Sequence, residues 1–164
     1  MKRCLGILFL AVLLLAWTLP VSAADRAVTA SVVPSYVVSR VGQQVQVAVV
    51  VDMTQMPDTQ LGSYSMTLTW NPAVLAYAGY VGAPEGWMNV VNTLNASAGR
   101  LRFTGANAQG AAGKVTVLTV VFDAAKAGRT ALDLNVTAMA AAGTFKSLVP
   151  VLTVTDGQAQ VKRK

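Results

Sequence analysis

Eight consecutive residues, Ser63–Trp70, alternate without a fault. Tyr64, Met66, Leu68 and Trp70 fall on one side, and Ser63, Ser65, Thr67 and Thr69 on the other. A period of two is the signature of a strand with one face in a core and the other in solvent. Such a strand needs neighbours along both edges and a second layer over its apolar face. The chain offers no sustained helical pattern to supply that layer, so the cover has to be another sheet.

The rest of the chain supplies the strands. Ala27–Val33 and Tyr36–Val41 flank Pro34 and read as one interrupted opening strand. Gln44–Asp52 alternates, with Val45, Val47, Val49 and Val51 on one face. Further strands are expected at Leu75–Val81, Trp87–Thr93, Arg100–Gly105, Lys114–Asp123, Thr130–Thr137, Leu148–Val154 and Gln158–Val161. Valine and threonine favour a pleated surface, and Gly, Pro, Asn and Asp clusters mark the breaks. The expected fold is all-β: a nine-stranded antiparallel β-sandwich with jelly-roll topology.

Residues 1–23 read as a signal peptide. Lys2 and Arg3 give a positive start, Leu5–Leu19 an apolar stretch, Pro20 a break, and Val21-Ser22-Ala23 small residues for cleavage. Residues 24–164 then form one exported domain, extracellular or periplasmic, with no membrane contact once the leader is removed. Cleavage removes Cys4, the only cysteine.

Composition narrows the chemistry. There is no histidine, and Glu85 is the only glutamate. A histidine triad, a Cys/His zinc site and a disulfide framework are all excluded. No catalytic residues, metal site or cofactor are expected. Asp52, Asp58 and Asn71 have the right oxygens for calcium but follow no loop motif. The pI of about 9.8 owes much to the leader and to Lys162-Arg163-Lys164, so it does not mark a nucleic-acid binder. The tripeptide reads as a solvated end.

With the strands placed, the order of motifs resembles a cohesin domain. Val41-Gly42-Gln43-Gln44-Val45-Gln46-Val47 is similar to the family's entry into its second strand. Leu61 through Leu75 is similar to a strand ending in aromatic–Asp–Pro–x–x–Leu, here Trp70-Asn71-Pro72-Ala73-Val74-Leu75. Gly113–Phe122 with Ala127–Leu132, and the closing Thr155–Val161, complete the likeness. The resemblance implies docking of a dockerin-type protein partner in extracellular polysaccharide-related assemblies. It implies contact across the third, fifth, sixth and eighth strands.

Carried onto this chain, the partner-binding residues are Ser63, Ser65, Thr67 and Thr69 of the third strand, Arg100 and Arg102 of the sixth, and Asp133 and Asn135 of the eighth. The fifth strand would add Asn89 or Asn92. Asp133 is placed to neutralise one of the arginines. Dockerin binders carry an Asn and an Asp near the start of the third strand, where this chain has Ser63 and Ser65. Two other functions fit a sandwich of this kind. One is direct polysaccharide binding, with Trp87 stacking on a sugar ring. The other is a structural role in an envelope or secretion assembly.

Overall fold

The computed structural model describes residues 28–82 and 85–164, so the expected leader and Cys4 lie outside the described residues. Eleven strands follow one another: β1 (Val28–Val33), β2 (Tyr36–Arg40), β3 (Gln44–Asp52), β4 (Leu61–Thr69), β5 (Leu75–Val81), β6 (Met88–Asn92), β7 (Arg100–Ala111), β8 (Lys114–Ala124), β9 (Gly128–Ala141), β10 (Leu152–Thr155) and β11 (Gly157–Lys162). They form two sheets, one ordered β10-β1-β3-β8-β5 and the other β2-β11-β9-β4-β7-β6.

The count is eleven rather than nine because the first and last strands each cross from one sheet to the other. Pro34 has no N–H to give a ladder, so β1 ends there and the chain re-enters as β2 in the facing sheet. The closing segment makes the same crossing at Asp156, from β10 to β11. The two crossings run together: β10 pairs with β1, and β11 with β2, both in parallel register. The sandwich is therefore not wholly antiparallel. Gln158 N donates to Ser35 O at 2.8 Å, tying one corner to the other. The closing strand also begins later than expected, because Val149–Val151 forms a 3-10 turn around Pro150.

Alternation decides which side chains fill the space between the sheets. Val45, Val47, Val49 and Val51 of β3 face Tyr64, Met66 and Leu68 of β4 across the core, all buried. Trp70 closes one end, its ring 4.9 Å from Phe122 at 66° and its Nε1 donating to Leu75 O at 2.9 Å. The turn after it runs on Asn71. Its Oδ1 accepts from Ala73 N at 2.9 Å, and its backbone N–H donates to Thr130 Oγ1 at 2.8 Å. Asparagine thus performs the turn chemistry of an aspartate at this place.

Tyr64 joins the sheets. Its hydroxyl donates to Asn89 Oδ1 at 2.5 Å and lies 3.2 Å from the Val117 carbonyl on the facing sheet. Its ring packs against Trp87 at 5.3 Å and Phe103 at 6.2 Å. Burial pushes its pKa up to about 12. The room for this ring comes from Gly105, which stands opposite Tyr64 on β7.

Candidate functional site

Strands β9, β4, β7 and β6 lie side by side in that order. They are the eighth, third, sixth and fifth strands of the sequence reading, so the four assigned to partner contact are contiguous. Their register sets out the outward side chains in rows. Asp133, Thr69 and Arg100 form one row, and Asn135, Thr67, Arg102 and Asn92 the next. Ser65, Thr104 and Val90 follow, then Ala140, Ser63, Ala106 and Met88.

All eight carried-over residues stand on this one face, but they do not stand equally. Arg100, Arg102, Asp133 and Asn135 are exposed, whereas Thr67 is 8% exposed and forms the floor between Asn135 and Arg102. Of the two asparagines on β6, Asn92 points outward beside Arg102, while Asn89 turns inward to hold Tyr64. Asp133 does not neutralise an arginine. Thr69 separates it from Arg100, and the one ion pair among the described residues is Lys114–Asp52 at 3.4 Å. Both guanidinium forks remain available. Thr137 is the extra residue of a bulge in β9 and ties it down, donating from Oγ1 to Ser65 O at 3.1 Å.

The face changes character along its length. At the arginine end are two shallow depressions. One, of about 460 Å³, lies between Thr69, Arg100, Asp133 and Asp156. The other, of about 210 Å³, lies between Asn92, Asn95, Arg100 and Arg102. Asp156 Oδ1 accepts from Leu134 N at 2.7 Å, which satisfies a β9 amide where β11 has not yet begun. At the opposite end a third depression, of about 310 Å³, is lined by Met88, Ala106, Ala108, Ala142 and Phe145. Met88 is 78% exposed, Val90 68% and Phe145 84%. Phe145 also holds a φ of 55°, a conformation bulky side chains rarely adopt.

Sequence reasoning missed this apolar end. β7 and β9 run on through the Ala/Gly stretches Gly105–Ala111 and Ala138–Ala141, which carry no alternation to read. The lone pointer was a phenylalanine beside Gly143-Thr144, in a segment with no partner for it nearby in sequence.

Trp87 is not a free platform, because it is half-buried against Tyr64. The exposed aromatics among the described residues, Tyr36, Tyr80 and Phe145, sit on the β2 edge of the six-stranded sheet, on β5 of the other sheet and between β9 and β10. The oxygens considered for calcium are divided between the two ends of the sandwich, with Asp58 in the β3–β4 connection. Asp52 lies at the end of β3, bonded to Thr54 and Lys114, and Asn71 lies in the turn after β4 at the other end of the sandwich. Thr54 holds the Asp52 carboxyl below its ordinary pKa, with help from Lys114.

No family model and no curated protein matches the chain in sequence. Solved structures do match in fold. A non-cellulosomal cohesin from the hyperthermophilic archaeon Archaeoglobus fulgidus superposes with a TM-score of 0.66 at 15% identity, over 83% of this chain and 91% of that one. A chain of a type I cohesin–dockerin complex from Clostridium thermocellum gives 0.67 at 11% identity, over 83% and 99%. The cohesin module of a family 33 glycoside hydrolase from Clostridium perfringens gives 0.64 at 12% identity, over 84% and 98%. By strand order and by these likenesses, the domain is a cohesin-like β-sandwich.

Proposed function

We propose that the protein is an exported, non-catalytic docking module that binds a dockerin-type protein partner across β9, β4, β7 and β6, in an extracellular polysaccharide-related assembly. The observation that carries the reading is the fold match to cohesins, among them one from a cohesin–dockerin complex. The face itself adds support. It carries two guanidinium forks with no carboxylate paired to them and is apolar at its far end. A helix laid along it would place carboxylates over Arg100 and Arg102 and an apolar side chain against Met88 and Phe145. Ser63 and Ser65 stand where dockerin binders carry Asn and Asp, so the partner's charge pattern is shifted toward the acidic. A standard interface buries about 800 Å² per side.

Arginine is enriched among interface hot spots, whereas serine and threonine are under-represented. Titration of the domain against dockerin modules with acidic helices tests this. Arg102→Ala weakens binding by about 2 kcal/mol, roughly thirtyfold, with the melting temperature unchanged. Phe145→Ala weakens it as well. Absence of binding to any dockerin module, or full binding by both variants, overturns the reading. The polysaccharide alternative has lost its aromatic platform, since Trp87 serves the core.

A further inference from the structure

The Lys162-Arg163-Lys164 tripeptide is exposed, yet its first residue is held in a strand. Lys162 is the last residue of β11, its carbonyl accepts from Val41 N at 3.1 Å, and its side chain stands beside Arg40 in the parallel β2–β11 register. Arg129 pairs across from Gln160, two residues back on the neighbouring strand. Lys164 reaches over the β2–β3 turn, with Cε 3.6 Å from where a Cβ on Gly42 would stand. Lys126 lies in the β8–β9 turn at the same end.

Six of the ten Lys and Arg side chains among the described residues therefore collect at one end of the sandwich. They come from three separate parts of the chain. Arg40, Arg129 and Lys162 share the outward face of the six-stranded sheet. None has a carboxylate partner among the described residues. Asp123, at the end of β8, instead accepts from Gln44 Nε2 at 3.3 Å. Like charges on neighbouring strands repel, and the fold gains nothing from setting Arg40 beside Lys162.

We propose that this end of the sandwich is a binding site for an extended polyanion, whose carboxylate or phosphate groups bridge the cations of β2, β9 and β11. Neighbouring strands about 5 Å apart and outward residues about 7 Å apart along a strand make a lattice that such a polymer can span. The turns at 41–43 and 125–127 and residues 162–164 carry no exposed large apolar side chain, and Val38 and Tyr36 of β2 lie along the strand rather than at its tip, so a polymer that runs along the sheet is favoured over a bilayer that meets the tip. The site lies beside the docking face, so it does not compete for Arg100 and Arg102.

The test titrates the domain with fluorescent polygalacturonate, with polyphosphate, and with vesicles containing about one third phosphatidylglycerol. Two variants of equal net charge are compared: Arg129→Gln/Lys162→Gln at this end, and Lys114→Gln/Lys146→Gln at the opposite end. Binding of either polymer at low salt is expected, falling at least tenfold between about 50 and 300 mM salt. The first variant is expected to lose about tenfold in affinity and the second less than threefold. The preferred polymer identifies the anion. Equal losses in the two variants, binding to vesicles alone, or no binding at low salt would each overturn the proposal.

Discussion

Gly105→Ala is a small change that strikes the core directly. Gly105 stands on β7 between Tyr64 of β4 and Asn89 of β6. A Cβ there would come within 2.4 Å of the Tyr64 Cζ and hydroxyl and 2.6 Å of Asn89 Oδ1. Ordinary carbon–oxygen contact is about 3.5 Å, so the phenol must move by about 1 Å. It has little room: the residue is 3% exposed, wedged between Trp87 and Phe103. Overpacking a core costs about 1–3 kcal/mol. Breaking the Tyr64–Asn89 hydrogen bond inside it costs about 1–3 kcal/mol more. The expected destabilisation is about 2–6 kcal/mol, read as a fall in urea midpoint at constant m and followed by tryptophan fluorescence. The cause can be isolated with Tyr64→Leu, which removes the group the methyl strikes. In that background Gly105→Ala should cost less than about 1 kcal/mol. Strict additivity of the two substitutions, or a cost below about 0.5 kcal/mol for Gly105→Ala alone, would refute the steric argument.

Leu68→Ala should cost about 2–5 kcal/mol, the range for truncating a fully buried leucine, while Thr67→Ala on the opposite face stays under about 1 kcal/mol; denaturant melts of the two variants check the assignment of faces. Tyr64 is neutral in the fold up to about pH 12, against 10.0 in the unfolded chain. Below about pH 10 both states are protonated and stability is flat; between about pH 10 and 12 only the unfolded state ionises, so stability falls. Two pH units amount to about 2.7 kcal/mol for a dry group, and solvent screening past half-buried Trp87 trims this to about 1–2 kcal/mol. Tyr64→Phe should flatten that alkaline loss in pH-dependent melts, and an unchanged slope would count against the assignment. N-terminal sequencing of the native protein should begin at Ala24 or Asp25 and a thiol assay should read zero, whereas an intact Met1 would mean that the leader is retained.

The alternation of Ser63–Trp70 made the central strand of the face legible, because side chains in a strand must alternate and a core admits few polar groups. The residues that failed to show were those whose direction depends on a neighbour. Nothing local distinguishes Asn89 from Asn92, three residues apart on opposite faces of β6; the buried hydroxyl of Tyr64 makes the difference. Trp87 looked free to stack on a sugar ring because its partner is 23 positions earlier in the chain. The Ala-rich ends of β7 and β9 have side chains too small to mark an inside and an outside, so the apolar end of the face stayed hidden. The crossings at Pro34 and Asp156 were visible as breaks, but a break does not say that the chain changes sheets.

Those paired crossings bear on when the molecule can fold. β2 is an edge strand whose neighbour in the sheet is β11, and β1 is flanked on one side by β10. Tyr36 bonds to Gln160 across 124 positions of sequence. Until the final residues are available, the opening strands lack those neighbours in both sheets at once. Contacts of such long range make folding slow, since the loop must close before any of them is gained. A chain arranged this way favours remaining unfolded until its last strand arrives. For a protein proposed to cross a membrane before it works, that delay keeps it threadable during the crossing.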